Sequence, residues 1–297
     1  DWSSDVCSSD LVLLDKPEGW TSHDVVARLR RVAGTRRVGH AGTLDPMATG
    51  LLVLGVESAT KLLTFIVGAD KTYEATIRLG ASTITDDRES EFLEQASPEV
   101  VSKISTSEIL GGIAELTGDI EQVPSSVSAI KVDGVRAYAK VRGGDEVKLK
   151  ARPVTVSRFD VIGEPRLVDG FLDLDVIIDC SSGTYIRALA RDLGAKLGIG
   201  GHLTALRRTR VGGYSIEQAS SLPEPGDELK IISSFEASKA FPTLELSEQD
   251  VIDLRHGKRL VNVRGLTGDI AAVYGEQLIA MLVPAGKQLK SSVVFND

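Results

Sequence analysis

The sequence predicts an α+β protein in which a mixed, largely antiparallel sheet with helices precedes a small β-rich C-terminal domain. Strand and helix patterns alternate irregularly, without the even spacing of a repeat solenoid or of a barrel built from parallel units. The 297 residues are 42% apolar, which is enough to build a sizeable core. From about residue 244 onward short strand patterns predominate, and this change predicts the second domain.

The N-terminal elements follow from local chemistry. "LVLLDKPEGW" predicts a buried strand over residues 11–14, stopped by a Pro-Glu-Gly turn. In "TSHDVVARLRRVAG", Thr21 or Ser22 can cap a helix whose apolar residues recur at helical spacing, and Gly34 ends it. The arginines of this helix fall mainly opposite its apolar stripe.

In the middle of the chain, segments with the spacing of a strand alternate with segments that have the spacing of a helix. "GLLVLGV" predicts a strand, "ESATKLLTFIVG" a helix, and "KTYEATIRLG" a strand with Tyr73, Ala75 and Ile77 on one face. "STITDDRESEFLEQ" is acidic and predicts a loop, while "SPEVVSKISTSEILGGIAEL" has helical spacing. "FLDLDVIIDCSSG" predicts a strong strand, and "TYIRALARDLGAKLG" a helix that stops at glycine.

The domain boundaries rest on composition. Residues 1–10, "DWSSDVCSSD", lack apolar periodicity and resemble a translated sequencing adapter, so we predict a non-native leader there. Residues 11–243 form the main domain. Residues 244–297 form the small one, with one short helix and the strands "DIAAVYG", "QLIAMLV" and "SSVVF".

Several classes of protein are excluded by composition. The longest apolar stretches fall short of the roughly 20 residues that a membrane span needs, so we expect no membrane association and a cytoplasmic location. With the leader set aside, Cys180 is the only remaining cysteine, and the four histidines are scattered. We therefore expect neither a disulfide framework nor a metal site.

Charge is unevenly distributed along the chain. The net charge is −8, which argues against a polyanionic partner, yet two basic clusters stand out. The first holds Arg28, Arg30, Arg31, Arg36 and Arg37, and the second, "LRRTR", holds Arg207, Arg208 and Arg210. Each could be a solvated helix face or loop, or a surface that contacts phosphates.

The stretch "GHAGTLDPMATGLLVLG" places one carboxylate in a rigid setting. Pro46 has a fixed φ and restricts the backbone of Asp45, while Gly42 permits a close approach of another backbone or a ligand. A stiff loop suits a catalytic carboxylate, because small displacements are costly in catalysis. An ordinary turn aspartate before proline is the alternative.

"SSGTYIRALARDLG" brings Tyr185 and Arg187 to the start of a helix, next to the end of a strand. An arginine beside Asp45 would keep that carboxylate ionised, and a tyrosine offers a flat face to a nucleobase. The alternatives are a core tyrosine and a surface ion pair.

Six blocks occur in the order and approximate spacing of one known family: "LLDKPEGWTSHDVVARLRR", "GHAGTLDPMATGLLVLGVESATKL", "KTYEATIRLG", "QVPSSVSAIKVDGVRAYAKVR", "GTYIRALARDLG" and "LRRTRVG". Over residues 11 to about 215 the chain closely resembles the TruB family, the bacterial tRNA pseudouridine synthases that modify uridine 55 in the T arm. The remainder resembles it loosely. The resemblance implies a catalytic domain of pseudouridine-synthase type and a PUA-like RNA-binding C-terminal domain.

The resemblance also implies the chemistry. Isomerisation of uridine moves the bond to ribose from N1 to C5, so no cofactor is required. Asp45 matches the essential aspartate, which either attacks the ribose or takes a proton from C2′. The implied partner is the T-arm stem-loop of tRNA, with no obligate protein partner and a monomeric enzyme.

The remaining site residues are carried over position by position. His40 matches the residue that helps displace the base, and Tyr73 the one that stacks on uracil. The other implied substrate-binding positions are Tyr185, Leu206, Arg187 and Lys16. The expected contacts to the RNA backbone are Arg30, Arg31, Arg36, Arg37, Arg207 and Arg208.

The chain departs from the family pattern in one block and one loop. Ser125 replaces a usual proline, Val127 replaces a frequent aromatic residue, and the acidic loop lacks the usual glycine after its aspartates. Two other functions stay open on the residues alone: an RNA-binding or tRNA-folding factor with incidental catalysis, and a hydrolase that uses Asp45 as a nucleophile.

Overall fold

Strands make up most of the regular structure among the described residues. The computed structural model describes residues 10–125, 131–132, 135–136, 149–224 and 226–295. The strands are β1 (Asp10–Lys16), β2 (Val38–His40), β3 (Thr49–Val56), β4 (Lys71–Leu79), β5 (Ala81–Thr83), β6 (Phe92–Gln95), β7 (Gly118–Gln122), β8 (Lys131–Val132), β9 (Val135–Arg136), β10 (Arg152–Val168), β11 (Phe171–Cys180), β12 (Gly201–Val211), β13 (Tyr214–Ser215), β14 (Ile231–Ser233), β15 (Thr243–Glu245), β16 (Leu260–Val261), β17 (Ile270–Tyr274), β18 (Gln277–Ala285) and β19 (Gln288–Val294). The α-helices are α1 (Ser22–Val32), α2 (Leu63–Val67), α3 (Pro98–Val101), α4 (Thr106–Glu115), α5 (Ile186–Lys196), α6 (Ser234–Ser238) and α7 (Glu248–Arg255).

Contacts divide the chain into two units. Unit 1 consists of Asp1–Ala69 and Arg210–Asp297, and unit 2 of Asp70–Thr209. The division differs from the sequence-based one, in which residues 11–243 form a single domain. β1 begins at Asp10, one residue inside the stretch assigned to the leader, whose other nine residues lie outside the described part of the chain.

In unit 1, β1 lies between β14 and β3, and β2 extends along β3, with antiparallel pairing throughout. The strand predicted over residues 11–14 is therefore confirmed, and its residues are almost fully buried. The predicted helix is confirmed as α1. Its N-cap is Thr21, and Gly34 follows its end in the left-handed conformation that glycine accommodates.

The C-terminal sheet has the order β15-β17-β18-β19-β16. The predicted strands and helix of this region are confirmed. One set of its apolar residues, including Ile279 and Leu282, packs in a cluster with Leu254 of α7. Another set, including Met281, joins the cluster that contains Leu11. Because this sheet shares a core with the N-terminal strands, it falls in the same unit.

Unit 2 contains the antiparallel run β4-β11-β10-β7. β12 lies on the other side of β4, where the Thr204 hydroxyl donates to the Thr76 carbonyl at 3.3 Å. Tyr73, Ala75 and Ile77 are buried on one face of β4, as predicted.

Three segments differ from the prediction. The acidic loop contains the paired strands β5 and β6 at its ends. "ESATK" forms a 3₁₀ helix before the short α2. The "LRRTR" segment belongs to β12, since apolar residues and Arg208 alternate into the interior. Most of the block between Ser125 and Leu149, including Val127, lies outside the described residues.

Candidate active site

The loop that carries Asp45 is tied to β1 by Lys16. The Lys16 side chain is fully buried, and its Nζ donates to the carbonyls of Trp20 at 2.6 Å, Pro17 at 3.0 Å and Pro46 at 3.3 Å. The Gly19 N–H donates to the same Pro46 carbonyl at 2.9 Å. The segment next to Asp45 is thus anchored to a buried strand, and the carboxylate itself is only half-buried.

Lys16→Met should lower the free energy of unfolding by about 2 kcal/mol, because three carbonyls lose a charged donor in a buried site. Urea denaturation measures the change. Lys61→Met is the matched control: its exposed Nζ donates to one carbonyl, that of Val294, and its loss should cost less than about 0.5 kcal/mol. Equal losses in the two variants would contradict the anchoring role of Lys16.

A glycine before Asp45 and a backbone hydrogen bond after it shape this loop. Gly42 has a φ of +98°, which a residue with a Cβ rarely adopts. The Ala48 N–H donates to the Asp45 carbonyl at 3.1 Å, and Met47 is buried. The chain therefore turns tightly directly after Asp45 and Pro46 and then enters β3.

His40 ends β2, where it pairs with Leu54 of β3. Its ring is half-buried and meets the exposed ring of His23 edge to face, with centroids 5.8 Å apart. The surface position suits a residue that contacts a nucleic acid.

The first basic cluster lies on the surface of unit 1. Arg30, Arg31, Arg36 and Arg37 are exposed, as expected. Arg37 pairs with Glu57 at 3.1 Å, and Arg30 donates to the Val38 carbonyl at 3.2 Å. These guanidinium groups therefore remain available to solvent on an acidic protein.

In unit 2, a buried ion pair holds Arg187 of α5. Arg187 is 5% exposed and Asp87 is 1% exposed. The Arg187 Nη1 donates to the Asp87 carboxylate at 3.0 Å and to the Thr85 carbonyl at 2.9 Å. Asp87 also accepts from the Glu89 N–H at 2.9 Å. The guanidinium is thus oriented by two acceptors rather than lying on the surface.

The acidic turn next to this pair is strained. Asp86 has a φ of +59°, a conformation that aspartate tolerates better than most residues. Burial raises the pKa of its carboxyl group, while the neighbouring Arg191, at 3.1 Å, favours the ionised form. The turn therefore depends on arginines of α5.

Tyr185 is the residue that precedes α5, and its backbone is clamped by Gln122 of β7. The Tyr185 N–H donates to the Gln122 Oε1 at 2.8 Å, and the Gln122 Nε2 donates to the Tyr185 carbonyl at 3.1 Å. Gln122 is 2% exposed, whereas the Tyr185 side chain is half-buried. These two hydrogen bonds fix the backbone from which the Tyr185 ring extends.

Tyr73 and Leu206 lie on the neighbouring strands β4 and β12, and each is 7% exposed. Arg207 is half-buried, so it can reach solvent. Arg208 is 1% exposed, and the expectation that it lies on a phosphate-contacting surface is wrong. Its side chain points to the interior because the strand alternates in and out.

Lys71 is a buried lysine two residues before Tyr73, opposite Cys180 of β11. Burial, together with the nearby charge of Arg208, lowers the pKa of Lys71 to about 8. Burial likewise raises the pKa of Cys180 to about 11. This part of the interior favours neutral side chains.

The folded protein should gain stability, relative to a Lys71→Met variant, as the pH rises from 8 to 10.5. The pKa of Lys71 is about 8 in the fold, against 10.5 for an unperturbed lysine. In that window the unfolded chain binds more protons than the folded chain, so raising the pH favours folding. Urea denaturation of both proteins at about pH 7.5 and about pH 10 measures the difference.

The control for this prediction is Lys103→Met, which removes an exposed lysine. Its stability relative to wild type should change little between the two pH values. A constant difference between wild type and Lys71→Met across the same range would contradict the prediction.

Among the residues that the structure describes, no three His, Cys, Asp or Glu side chains are grouped to hold a metal ion. Within the same residues, no helix is long and apolar enough to cross a membrane.

The predicted site residues fall in both units. Unit 1 holds Lys16, His40 and Asp45, and unit 2 holds the predicted substrate-binding residues Tyr73, Tyr185, Arg187 and Leu206. Sequence reasoning missed Ser22, which contacts the Asp45 loop, and the supporting residues Asp87 and Gln122. Gln122 and Asp87 lie in the segments "QVP" and "TDDR". Their roles could not be predicted from these segments, because the residues that they bond to are far away in sequence.

Solved structures share this fold. One, a Cbf5-Nop10-Gar1 complex, has a TM-score of 0.72 and 24% identity, covering 96% of this chain and 84% of that one. A second, an H/ACA RNP bound to a substrate RNA containing 2′-deoxyuridine, has a TM-score of 0.70 and 23% identity, covering 97% and 85%. At these identities the likeness concerns the fold alone.

Comparison with models of protein families identifies the class of enzyme. Residues 30–186 match the N-terminal domain of the TruB family pseudouridylate synthases, and residues 187–232 match the C-terminal domain of tRNA pseudouridylate synthase B. The protein is therefore a pseudouridine synthase, which is an isomerase.

Curated relatives narrow the class. The tRNA pseudouridine synthase B of Leifsonia xyli subsp. xyli is 58% identical over 292 residues, covering 97% of this chain and 96% of the relative. That of Thermobifida fusca is 57% identical over 254 residues, covering 84% and 86%. The chain belongs to the TruB family.

Proposed function

We propose that this tRNA pseudouridine synthase isomerises uridine 55 in the T arm, with Asp45 as the catalytic carboxylate. The observation that carries the proposal is the anchored Asp45-Pro46 segment in a chain of this family, where Lys16 and Gly19 both hold the Pro46 carbonyl. A fixed carboxylate suits a reaction that needs one oxygen at a sugar carbon.

The reaction needs no external reagent. The bond between N1 and C1′ breaks, uracil turns over, and a bond between C5 and C1′ forms. C5 then loses its proton and N1 gains one, so atoms and electrons balance. Asp45 either attacks C1′ and is displaced by C5, or takes the C2′ proton and returns it.

The family resemblance assigns the uracil pocket to residues of unit 2. Arg187 matches the family position that partners the catalytic aspartate, and an opposite charge of this kind keeps a carboxylate ionised. The bond from Asp87 fixes the orientation of Arg187. Tyr73 stacks on uracil and takes the C5 proton, while Tyr185 and Leu206 line the pocket.

The target base must leave its stack, which costs a few kcal/mol. We assign its displacement to His40 at the surface of unit 1. The exposed residues Arg30, Arg31, Arg36 and Arg37, with the half-buried Arg207, contact phosphates and make tRNA affinity fall with salt. Arg208, being buried, is left out of this surface.

The remaining parts of the proposal concern organisation. Residues 244–297 form a PUA-like RNA-binding domain that extends the contact toward the acceptor stem, beside a catalytic domain over residues 11–243. The exposed basic residues Lys258 and Arg259, in the segment between α7 and β16, support this role. The enzyme works as a monomer in the cytoplasm.

An unmodified tRNA transcript provides the test. After incubation with the protein, carbodiimide-dependent primer extension should show a new stop at position 55 and at no other uridine. A protein that binds and refolds the transcript without producing this stop would favour the RNA-folding function instead.

A further inference from the structure

Ser22 contacts the catalytic loop directly. It is the first residue of α1 and is 1% exposed. Its Oγ accepts a hydrogen bond from the Leu44 N–H at 2.8 Å and donates to the Leu44 carbonyl at 3.2 Å. Both backbone polar groups of the residue before Asp45 are therefore satisfied by one hydroxyl.

The start of α1 is a rigid base for this contact. The Thr21 Oγ1 accepts from the Asp24 N–H at 3.1 Å, and the Asp24 carboxylate accepts from the Thr21 N–H at 2.9 Å. The Thr21 hydroxyl, which donates to the Asp24 carboxylate at 2.6 Å, and the Thr21 N–H lower the pKa of Asp24, so the capping box persists near neutral pH. The first turn of α1 is further held by the buried side chains of Val25 and Val26.

The two anchors flank the catalytic residue. Ser22 holds Leu44 on one side of Asp45, and Lys16 holds Pro46 on the other. With both neighbouring residues tied to buried elements, the backbone at Asp45 has little freedom to shift.

We propose that Ser22 is a positioning residue for pseudouridine formation, which acts through Leu44 to set the location of the Asp45 carboxylate. The inference rests on the proposed function of Asp45. Ser22 itself does not touch the reacting atoms in this assignment. Its contribution belongs to the rate of the chemical step and not to tRNA affinity.

Ser22→Ala removes the hydroxyl with little change in volume. The single-turnover rate constant, measured with enzyme in excess over unmodified tRNA, should fall about tenfold or more, because displacements of about 1 Å can cost up to 100-fold in rate. The Kd for tRNA should stay within twofold of wild type. Ser22→Cys, with a weaker hydrogen-bonding group, should give an intermediate rate constant.

Ser238→Ala is the matched control. Ser238 is also 1% exposed, and its hydroxyl donates to the Phe235 carbonyl at 2.7 Å within α6. Its rate constant should equal that of wild type. With enzyme in excess over tRNA and well above the Kd, every tRNA is bound by folded enzyme even where part of a variant is unfolded. A merely structural role of Ser22 would therefore leave the rate constant unchanged, whereas a positioning role lowers it.

The outcomes separate cleanly. A wild-type rate constant in both Ser22→Ala and Ser22→Cys would overturn the inference while leaving the function of Asp45 intact. Should Ser22→Ala fail to fold, the Ser22→Cys variant alone tests the inference: a lowered rate constant would support it, and a wild-type rate constant would overturn it. A wild-type protein that forms no pseudouridine would overturn the proposed function, and this inference with it.

Discussion

Asp45→Asn is expected to abolish pseudouridine formation, with a loss of at least about 10⁴-fold in the single-turnover rate constant. The amide keeps the size of the side chain but can neither attack C1′ nor accept the C2′ proton as a carboxylate does. Binding of tRNA should stay within about twofold, because the exposed arginines that we propose contact phosphates are unchanged. Primer extension after carbodiimide treatment measures the product, and filter binding measures the affinity.

The control is Asp160→Asn on the exposed face of β10, where Asp160 pairs with Arg158. This change should leave both rate and affinity at wild-type values. Full activity in Asp45→Asn would refute the assignment of the catalytic residue, whereas loss of both activity and tRNA binding would point to a folding defect.

Asp87→Asn should lower the free energy of unfolding by about 3–5 kcal/mol, since it leaves the buried Arg187 guanidinium without its carboxylate. Pseudouridine formation should fall as well, because Arg187 loses the bond that orients it. The measurement is urea denaturation, with single-turnover kinetics on the fraction that stays folded.

Asp160→Asn again serves as the comparison, because its ion pair is about half-exposed and should contribute less than about 1 kcal/mol. Similar losses for the buried and the exposed pair would show that the Asp87 pair has no special role in stability.

Local patterns in the sequence were enough to predict much of the fold. The all-apolar run before the Pro-Glu-Gly turn gives β1, the Thr21 cap and Gly34 bound α1, and alternation around Tyr73 gives β4. These elements are specified by neighbours in the chain, so a single sequence contains their signal.

Supporting residues of the site were beyond the reach of local patterns. Ser22 bonds to a residue 22 positions away, Gln122 to one 63 away, and Asp87 to one 100 away. Nothing in the sequence around each of these polar residues indicates its partner, because the two come together only in the folded protein. The burial of Arg208 was missed for a similar reason: a charge-rich pentapeptide predicts a surface, and only tertiary packing places one arginine inside.

The Asp45→Asn protein in complex with an unmodified T-arm stem-loop offers the most direct test of the central claim. In its crystal structure, uridine 55 should be extruded from the loop, with C1′ or C2′ of its ribose facing the residue 45 side chain. A complex in which residue 45 points away from the ribose, or in which uridine 55 stays stacked in its loop, would contradict the account.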